Sequence, residues 1–452
     1  MGASPAIGSH EKNGVHDVRV ALLSYRSKPH CGGQGVYVRH LSRELALLGH
    51  EVEIFSGQPY PDLDQAALDA GVRLTKVPSL GLYDEPDPFR TPRPGEYRDW
   101  IDALEVGAMW TASFGEPLTF SLRVARLLAD RRDDFDIVHD NQCLGYGLLQ
   151  IQKAGFPLIA TIHHPITRDR TLAVKAAKGW RKITAWRWHS FLRMQGRVSR
   201  RIPELLTVSR SSEVDIRKAF DIPSGRITTI PLGVDTDVFR PAGQRIPGRV
   251  VSIASADAPL KGVSYLLEAI AKLAAERDVT LTLVSKLDPE GPSAKLIEDL
   301  AIGDRVEVVS GLTDEEMAQL LASAEVACVP SLYEGFSLPA VEAMSCGTPL
   351  VATRAGAIPE VVGTDGSAAR LVPPRDSGKL AQEIGRLLDD ADLRAAMGAA
   401  GRARVEERYS WAAVAAKTAE HYQTVLDRTG LERSGLDRTG LDRVNTEETS
   451  AC

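Results

Sequence analysis

Short apolar runs rich in β-branched residues alternate with stretches of helical periodicity along most of the chain. Because strands buried on both faces read as continuous apolar runs, this alternation is typical of parallel sheets whose strands are joined by crossover helices. The predicted fold class is therefore α/β. A first series of strands is predicted at 18–24, 51–55, 136–139, 158–162 and 205–208, with a helix at 36–48 that ends at Gly49.

A second series of strands is predicted at 249–254, 281–285, 305–309, 326–330, 349–353 and 370–372. A chain of 452 residues exceeds the size at which one hydrophobic core stops growing, so two domains of roughly 200 residues each are expected. We place Rossmann-like domains at 17–230 and 249–408, joined by a linker at 231–248 that is dense in Pro and Gly. Residues 1–16 are predicted to be a disordered lead-in, 409–428 a helix that packs back on the N-terminal domain, and 429–452, with repeats such as LDRTG, a disordered tail.

Composition excludes several classes of protein. Hydrophobic residues make up 43% and charged residues 25% of the chain, which is ordinary for a soluble enzyme. No apolar run approaches the roughly 18 residues that cross a bilayer, and the N-terminus lacks the apolar core of a signal peptide. Five scattered cysteines without a C-x-x-C pair favour a reduced cytoplasm over a disulfide framework or a zinc site. A net charge of −6, without a recognition module, gives no reason to expect nucleic acid as a partner.

The stretch SLYEGFSLPAVEAMSCGTPLVAT, which begins at position 331, carries the most informative pattern. Glu334 lies in a predicted loop after a strand, and Gly335 permits unusual dihedral angles or the close approach of a ligand. Ser337 is suited to cap the helix that follows, whose first turn tolerates Pro339. Free N–H groups and the positive end of the helix dipole at such a terminus favour a bound phosphate.

Glu342 interrupts the otherwise apolar face of that helix, four residues from both Leu338 and Cys346. A buried carboxylate without a partner is costly, and a diol such as a ribose offers it two hydrogen-bond donors. The alternative is a side chain that reaches solvent at the edge of the helix or pairs with an arginine.

The two glutamates are separated by seven residues, and they are followed by AMSCGTPLVAT and by G-x-x-PE at 356–360. This arrangement resembles the donor-site signature of glycosyltransferase family 4. The resemblance extends to GGQGVYVRHLSRELALLGHEVEIF, TIHH, TVSRSS, IPLGVDTDVF and YSW, and it leaves out the two tails and much of 61–120. It implies the GT-B fold, in which an N-terminal acceptor domain and a C-terminal donor domain, both Rossmann-like, face a central cleft.

The resemblance also implies roles for individual residues. Glu334 would contact hydroxyls of the donor sugar, His163 would be the active-site histidine, and Glu342 would hold the nucleotide ribose. Lys261 would pair with the donor diphosphate, assisted by backbone N–H groups near Ser337 and Leu338. The other predicted donor contacts are Gly32, Gly33, Ser255, Gly335 and Phe336.

Two of these assignments have alternatives. His164 adjoins His163 and is expected to face the opposite side of an extended backbone. Many members of the family have an arginine where this chain has Ser255, six residues before Lys261, and a serine can offer the phosphate only a neutral hydrogen bond. Either Lys261 and the helix N-terminus suffice, or another cation such as Arg210 or Arg354 substitutes.

The implied reaction is retaining transfer from a UDP- or GDP-sugar to an acceptor hydroxyl. Transfer is expected on the front side, where the leaving phosphate helps to deprotonate the acceptor and fixed dipoles stabilise the developing charge. The paired aspartates at 133–134 and 389–390 have the character of solvated positions, and no essential metal or other cofactor is expected. A catalytically silent protein that binds nucleotide sugars is the alternative, and Ser255 is its only support.

The segment 168–201 is locally basic, with eleven Lys or Arg against one Asp and with three tryptophans interleaved. Trp188, Phe191 and Leu192 are predicted to share a helical face, as in a basic amphipathic helix at an anionic membrane surface. A glycolipid or envelope glycan acceptor at the inner face of the membrane would fit this pattern. The alternatives are a helix at the domain cleft with solvated arginines, or a soluble acceptor such as a sugar, a sugar phosphate or a polyol.

Overall fold

The computed structural model of the protein describes residues 17–27, 33–84 and 87–447. One set of strands comprises β1 (Arg19–Ser24), β2 (Glu51–Ser56), β3 (Arg73–Lys76), β4 (Ile137–Asn141), β5 (Leu158–Ile162), β6 (Glu204–Thr207) and β7 (Ile227–Thr229). The other comprises β8 (Ile246–Ile253), β9 (Thr280–Val284), β10 (Val306–Val309), β11 (Ala324–Val329), β12 (Leu350–Thr353) and β13 (Ala369–Val372). They form two parallel sheets with the orders β3-β2-β1-β4-β5-β6-β7 and β10-β9-β8-β11-β12-β13.

Helices connect the strands and cover both sheets. Those of the N-terminal half are α1 (Gly33–Leu47), α2 (Gln65–Asp69), α3 (Trp100–Trp110), α4 (Glu116–Ala129), α5 (Gly147–Lys153), α6 (Thr167–Ala176), α7 (Arg181–Trp188), α8 (Phe191–Ser199) and α9 (Arg210–Phe220). The C-terminal half contains α10 (Val263–Ala274), α11 (Pro292–Asp299), α12 (Asp314–Ser323), α13 (Leu338–Ser345), α14 (Ile358–Val362), α15 (Ser377–Asp389), α16 (Ala391–Arg408) and α17 (Trp411–Glu447). Within the described ranges, no helix combines the length and the apolar character needed to cross a bilayer.

Strand β1 shows why the sequences of the strands are continuous apolar runs. Val20 and Leu22 pack into the core beneath α1, whereas Ala21 and Leu23 pack into a second core beneath α4 and α5. Successive side chains of a strand point to opposite faces, so a sheet covered on both faces needs an apolar residue at every position. The predicted α/β class with two parallel sheets is confirmed.

The predicted strands are all present, and their ends differ from the observed ones by at most three residues. Two further strands, β3 and β7, were not predicted from the sequence. Both are edge strands of the N-terminal sheet and span only four and three residues, with exposed or partly exposed positions among them. Their mixed burial removes the apolar run on which the prediction depends.

The chain crosses between the two domains twice, and the crossings touch. The first follows β7 and leads into β8, which begins at Ile246 and so inside the predicted linker 231–248. The second precedes α17. Val234 N–H donates to the Tyr409 carbonyl at 2.7 Å, and a Cβ on Gly233 would come within 2.9 Å of Trp411 Cα. Glycine at 233 therefore permits the close approach of the two crossings.

Helix α17 lies against the N-terminal domain. Tyr422 Oη is 2.6 Å from His139 Nδ1, and Arg428 pairs with Glu204 at 2.7 Å. The backbone is helical to Glu447, whereas the sequence predicts a disordered tail from residue 429. A helix nucleated by packed turns extends at little further cost, which accounts for the difference. Residues 448–452 and the predicted lead-in 1–16 lie outside the described residues.

The basic segment 168–201 is divided among α6, α7 and α8, so the predicted shared face of Trp188, Phe191 and Leu192 was wrong. Trp188 ends α7 and packs against Phe114, Phe191 begins α8, and Leu192 is only 3% exposed. The break at 189–190 places them on two helices, although Trp188 and Phe191 both pack against Phe114. The apolar residues that α7 and its N-cap expose to solvent are Trp180, Ile183 and Trp186.

Candidate active site

The carboxyl ends of β5 and β11 face each other across the cleft between the domains. His163 and His164 follow β5, and Gly335 lies in the loop after β11. A Cβ placed on Gly335 would lie 3.6 Å from His164 Cβ and 3.7 Å from the His163 carbonyl oxygen. The structure therefore brings the predicted histidine and the predicted donor loop together, at the sheet edge where open α/β folds bind ligands.

A cavity of about 420 Å³ occupies this part of the cleft. Its walls include His164 and Asp169 from the N-terminal domain and Lys261, Glu334 and Gly335 from the C-terminal domain. Ligand sites commonly measure roughly 300–1,000 Å³. Three of the predicted donor-site residues thus share one cavity of suitable size.

Glu334 is held in place by charge and by its backbone. Its Oε1 accepts hydrogen bonds from Lys261 Nζ at 2.9 Å and from Ser331 Oγ at 2.6 Å. Gly356 has a φ of +55°, and a Cβ there would lie 2.2 Å from the Glu334 carbonyl oxygen, so the loop requires glycine at this position. No described residue donates a hydrogen bond to Glu334 Oε2, which leaves this oxygen available to a sugar hydroxyl.

Helix α13 begins beside Glu334 with an unusual N-cap. Ser337 has a φ of 95° and a ψ of 73°, a left-handed conformation that is costly for any residue except glycine. The sequence predicted that Ser337 would cap the helix, but its buried hydroxyl has no hydrogen-bond partner in the described part of the chain. The Leu338 N–H has no backbone partner there either. Phe336, which is 5% exposed, anchors the loop by packing against Tyr409.

Glu342 lies one turn into α13 and is partly buried. No hydrogen bond or ion pair joins its carboxylate to any described residue. Burial, and to a lesser degree the carboxylate of Asp314, raises the pKa of Glu342 to about 7. The carboxylate therefore lacks the hydrogen-bond donors that it needs when buried, as expected of a group whose partner is a bound ligand.

The two neighbouring histidines have different surroundings. His163 is 8% exposed, its Nε2 lies 2.7 Å from Asn141 Oδ1, and the Tyr37 ring packs edge-on at 5.0 Å. Burial lowers the pKa of His163 to about 3, so its imidazole is neutral. The side chain of His164 is 47% exposed and lines the cavity. On the side that faces Gly335, the wall is thus made by His164 and by the His163 carbonyl.

Of the remaining predicted residues, those that the structure describes do not line this cavity. Gly32 falls outside the described residues, and Gly33 is the first residue of α1. Ser255 is exposed and is not among the residues that line the cavity. Arg210 and Arg354, considered as substitutes for a missing phosphate-binding cation, line other cavities.

The N-terminal domain also contacts the loop between β11 and α13, which the sequence did not reveal. Ser209 and Ser212 donate hydrogen bonds to the Gly335 carbonyl at 2.6 and 3.0 Å. The carboxylate of Glu360 accepts hydrogen bonds from the N–H groups of Arg210 and Ser211, both at 3.1 Å. The motifs TVSRSS and G-x-x-PE, which are distant in sequence, therefore meet across the domain boundary.

Within the ranges that the structure describes, no three His, Cys, Asp or Glu side chains are grouped as ligands of a metal ion.

Replacing Gly356 with alanine should abolish ligand binding at the Glu334 loop, because the new Cβ would collide with the Glu334 carbonyl at 2.2 Å. Gly243→Ala is the matched control, since Gly243 also has a positive φ, of +65°, but has no atom within 4 Å of the place that a new methyl group would take. A thermal-shift titration with nucleotide sugars measures the effect. Equal ligand-induced shifts in the two variants would contradict the requirement for glycine at 356.

Replacing Glu342 with glutamine should alter how stability depends on pH. The pKa of Glu342 is raised from 4.5 to about 7, so the folded state binds more protons than the unfolded state in that window. Its contribution to stability is therefore lost as pH rises from about 4.5 to 7. The unfolding temperature should decline less steeply with rising pH for Glu342→Gln than for the wild-type protein. Glu315→Gln changes an exposed carboxylate on α12 and should show the same decline with pH as the wild-type protein. An equal decline in all three proteins would contradict the prediction.

Comparison with protein families agrees with this geometry. The model described as Glycosyltransferase Family 4 matches residues 31–238, and the model described as Glycosyl transferases group 1 matches residues 247–390. The chain is 62% identical over 411 residues to the MMP alpha-(1->4)-mannosyltransferase of Mycolicibacterium hassiacum, which covers 91% of this chain and 99% of the relative. It is 29% identical to the D-inositol 3-phosphate glycosyltransferase of Thermobispora bispora, over 91% of this chain and 95% of the relative.

Solved structures share the fold at lower sequence identity. The sucrose-phosphate synthase of Thermosynechococcus elongatus superposes with a TM-score of 0.67 at 22% identity, over 91% of this chain and all of that one. Anabaena HepE in complex with UDP-glucose superposes with a TM-score of 0.63 at 18% identity, over 90% of this chain and all of that one. These likenesses support the GT-B fold. With the family models and the mannosyltransferase at 62% identity, they show that the chain belongs to glycosyltransferase family 4 and is a glycosyltransferase.

Proposed function

We propose that this enzyme transfers a mannosyl residue, with retention, from a nucleoside-diphosphate mannose to a hydroxyl of a carbohydrate acceptor. The observation that carries this proposal is the 62% identity to a protein named as an alpha-(1->4)-mannosyltransferase. The cavity lined by Glu334 and Lys261 supports it, because it offers a carboxylate to a sugar and a cation to a diphosphate. An α-linked donor gives an α-linked product only if configuration is retained or inverted twice.

Each step of the transfer has a candidate group in the cleft. The bond from the anomeric carbon to the diphosphate breaks as the bond to the acceptor hydroxyl forms on the same face, and the hydroxyl proton passes to the departing phosphate oxygen. Lys261 and the N–H of Leu338, the first residue of α13, would stabilise the charge that grows on the diphosphate. Glu334 Oε2 would accept a hydrogen bond from the sugar, and Glu342 from the ribose. We infer that this arrangement works without an essential divalent ion.

The enzyme should be stabilised by one nucleotide sugar above others. A thermal-shift screen against GDP-mannose, UDP-glucose and ADP-glucose identifies the donor, because a bound ligand raises the unfolding temperature according to its affinity. Transfer is then followed with that donor and manno-oligosaccharides, with the anomeric configuration read by NMR and with EDTA present in a parallel reaction. An inverted product, or loss of activity in EDTA, would contradict retention or metal independence respectively.

Replacing Glu334 with glutamine should lower kcat by about 100-fold or more while the fold is retained, since it removes a charge placed at the reacting sugar. Glu315→Gln, a surface carboxylate of the same domain, should keep wild-type kcat. Normal turnover by Glu334→Gln would exclude the proposed role. No turnover by wild type with any donor that binds would favour the alternative of a silent nucleotide-sugar-binding protein.

A second part of the proposal concerns where the enzyme works. Trp180, Ile183 and Trp186 are 72%, 65% and 42% exposed, and they recur at every third position along α7 and its N-cap. Exposed basic residues flank them, including Arg181 and Lys182, and the sequence has no Asp or Glu between positions 169 and 204. Tryptophan beside basic residues is typical of helices that rest on anionic lipid. We propose that α7 docks the cytoplasmic enzyme on the inner face of the membrane, near a glycolipid acceptor.

Flotation with liposomes tests this docking. The wild-type protein should float with vesicles that contain phosphatidylglycerol and should not float with vesicles of pure phosphatidylcholine. The double variant Trp180→Ala, Trp186→Ala should float with neither. Trp100→Ala is the matched control, because Trp100 is 59% exposed on α3, outside the basic segment. If the wild-type protein does not bind acidic vesicles, the membrane proposal fails and a soluble sugar, sugar phosphate or polyol becomes the preferred acceptor.

A further inference from the structure

His163 forms hydrogen bonds with two consecutive residues at the end of β4. The Asn141 Oδ1 atom lies 2.7 Å from His163 Nε2. Gln142 accepts a hydrogen bond from the His163 backbone N–H at 2.8 Å and donates one to the His164 carbonyl at 3.1 Å. Both amides are at most 1% exposed. The ring and the backbone of His163 are therefore fixed by separate side chains of the neighbouring strand.

The second contact of Asn141 determines which ring nitrogen of His163 carries the proton. Asn141 Nδ2 donates to the Gln34 carbonyl at 3.2 Å, so the other end of the amide, Oδ1, must face the imidazole as an acceptor. An acceptor at 2.7 Å requires a proton on Nε2. In a neutral imidazole this leaves Nδ1 as a hydrogen-bond acceptor.

Among the described residues, no hydrogen-bond partner of His163 is a group that would favour an imidazolium. Tyr37 of α1 packs edge-on against the ring, and its hydroxyl is directed to Thr161, 3.2 Å away. The titratable groups nearest in the sheet are His139 and His164, and proximity to His164 adds to the effect of burial in lowering the pKa of His163. On the opposite side of the cleft, Glu334 is paired with Lys261. A neutral amide, and not a carboxylate, is thus the partner of this histidine.

We propose that Asn141 is a positioning residue for sugar transfer, which holds His163 as the neutral tautomer protonated at Nε2 and leaves its Nδ1 as a hydrogen-bond acceptor. The inference rests on the proposed function, because it assumes that the sugar binds beside His163, whose carbonyl lies close to Gly335 of the cavity wall. It goes further in assigning a protonation state and the residue that enforces it. A carboxylate in place of Asn141 would stabilise the imidazolium, in which both nitrogens are donors.

The variant Asn141→Asp keeps the shape of the side chain and tests the tautomer. Its kcat should fall by about tenfold or more at pH 6.5 and recover as pH rises, because a carboxylate partner moves the titration of His163 toward neutral pH. The kcat of the wild-type protein should not fall near pH 6.5 through protonation of His163. Asn141→Leu should lower kcat at every pH and change KM by less than about twofold, since it removes orientation without adding charge.

Two controls separate this role from a structural one. Gln58→Glu places a carboxylate at another amide, whose Oε1 accepts hydrogen bonds from Ser79 and which has no hydrogen bond to His163 among the described residues; its pH profile should keep the wild-type shape. In the double variant Asn141→Asp, His163→Ala, the extra pH dependence should disappear, as required of two residues that act as a unit. Thermal unfolding of each variant shows whether the fold is retained.

Nitrogen NMR of histidine-labelled full-length protein gives a readout that does not depend on turnover. The His163 signals, assigned by comparison with His163→Gln, should report a proton on Nε2 in wild type and on both nitrogens near pH 6.5 in Asn141→Asp. A wild-type tautomer protonated at Nδ1, or an Asn141→Asp protein with the wild-type pH profile, would overturn the inference. If the tautomer is as stated but no mannose is transferred, the proposed function fails and the assignment of the tautomer stands.

Discussion

The contact between the two chain crossings is the interaction on which the cleft depends. Val234 hydrogen bonds to Tyr409 at 2.7 Å, and Gly233 allows Trp411 to lie directly against the linker. From there α17 returns to the N-terminal domain, where Tyr422 reaches the buried His139. A cleft between two separately folded sheets needs such a link, because interfaces between domains within one chain permit relative motion by default.

The loop between β11 and α13, which contains Glu334 and Gly335, is stabilised from both sides of that cleft. Gly356 approaches its backbone from the C-terminal domain, and Ser209 and Ser212 hold the Gly335 carbonyl from the N-terminal domain. These contacts hold Ser337 in a left-handed conformation that an isolated loop would avoid. With Ser337 in this conformation, the Leu338 N–H at the start of α13 has no cap among the described residues, which is the condition for binding an anion there.

Glu334 and Glu342 show how differently two members of one motif are satisfied. Glu334 has partners in Lys261 and Ser331, so its position is fixed before any ligand binds. Glu342 has none among the described residues, and burial raises its pKa to about 7. A preorganised carboxylate suits the reacting sugar, where movement would be costly. An unpaired one gains most from a ligand that supplies two donors.

The sequence by itself determined the α/β class, the internal strands and the placement of Glu334, Gly335 and the start of α13, because these follow from local periodicity and from a contiguous motif. It missed β3 and β7, whose partial exposure breaks the apolar run, and it took the helical segment after residue 429 to be disordered. Only the tertiary structure decided that His164 lines the cavity, that Asn141 contacts His163 and that Ser209 contacts Gly335. Those residues lie on neighbouring strands of the sheet or across the domain boundary, and their contacts arise from strand order and domain packing, which no local pattern encodes.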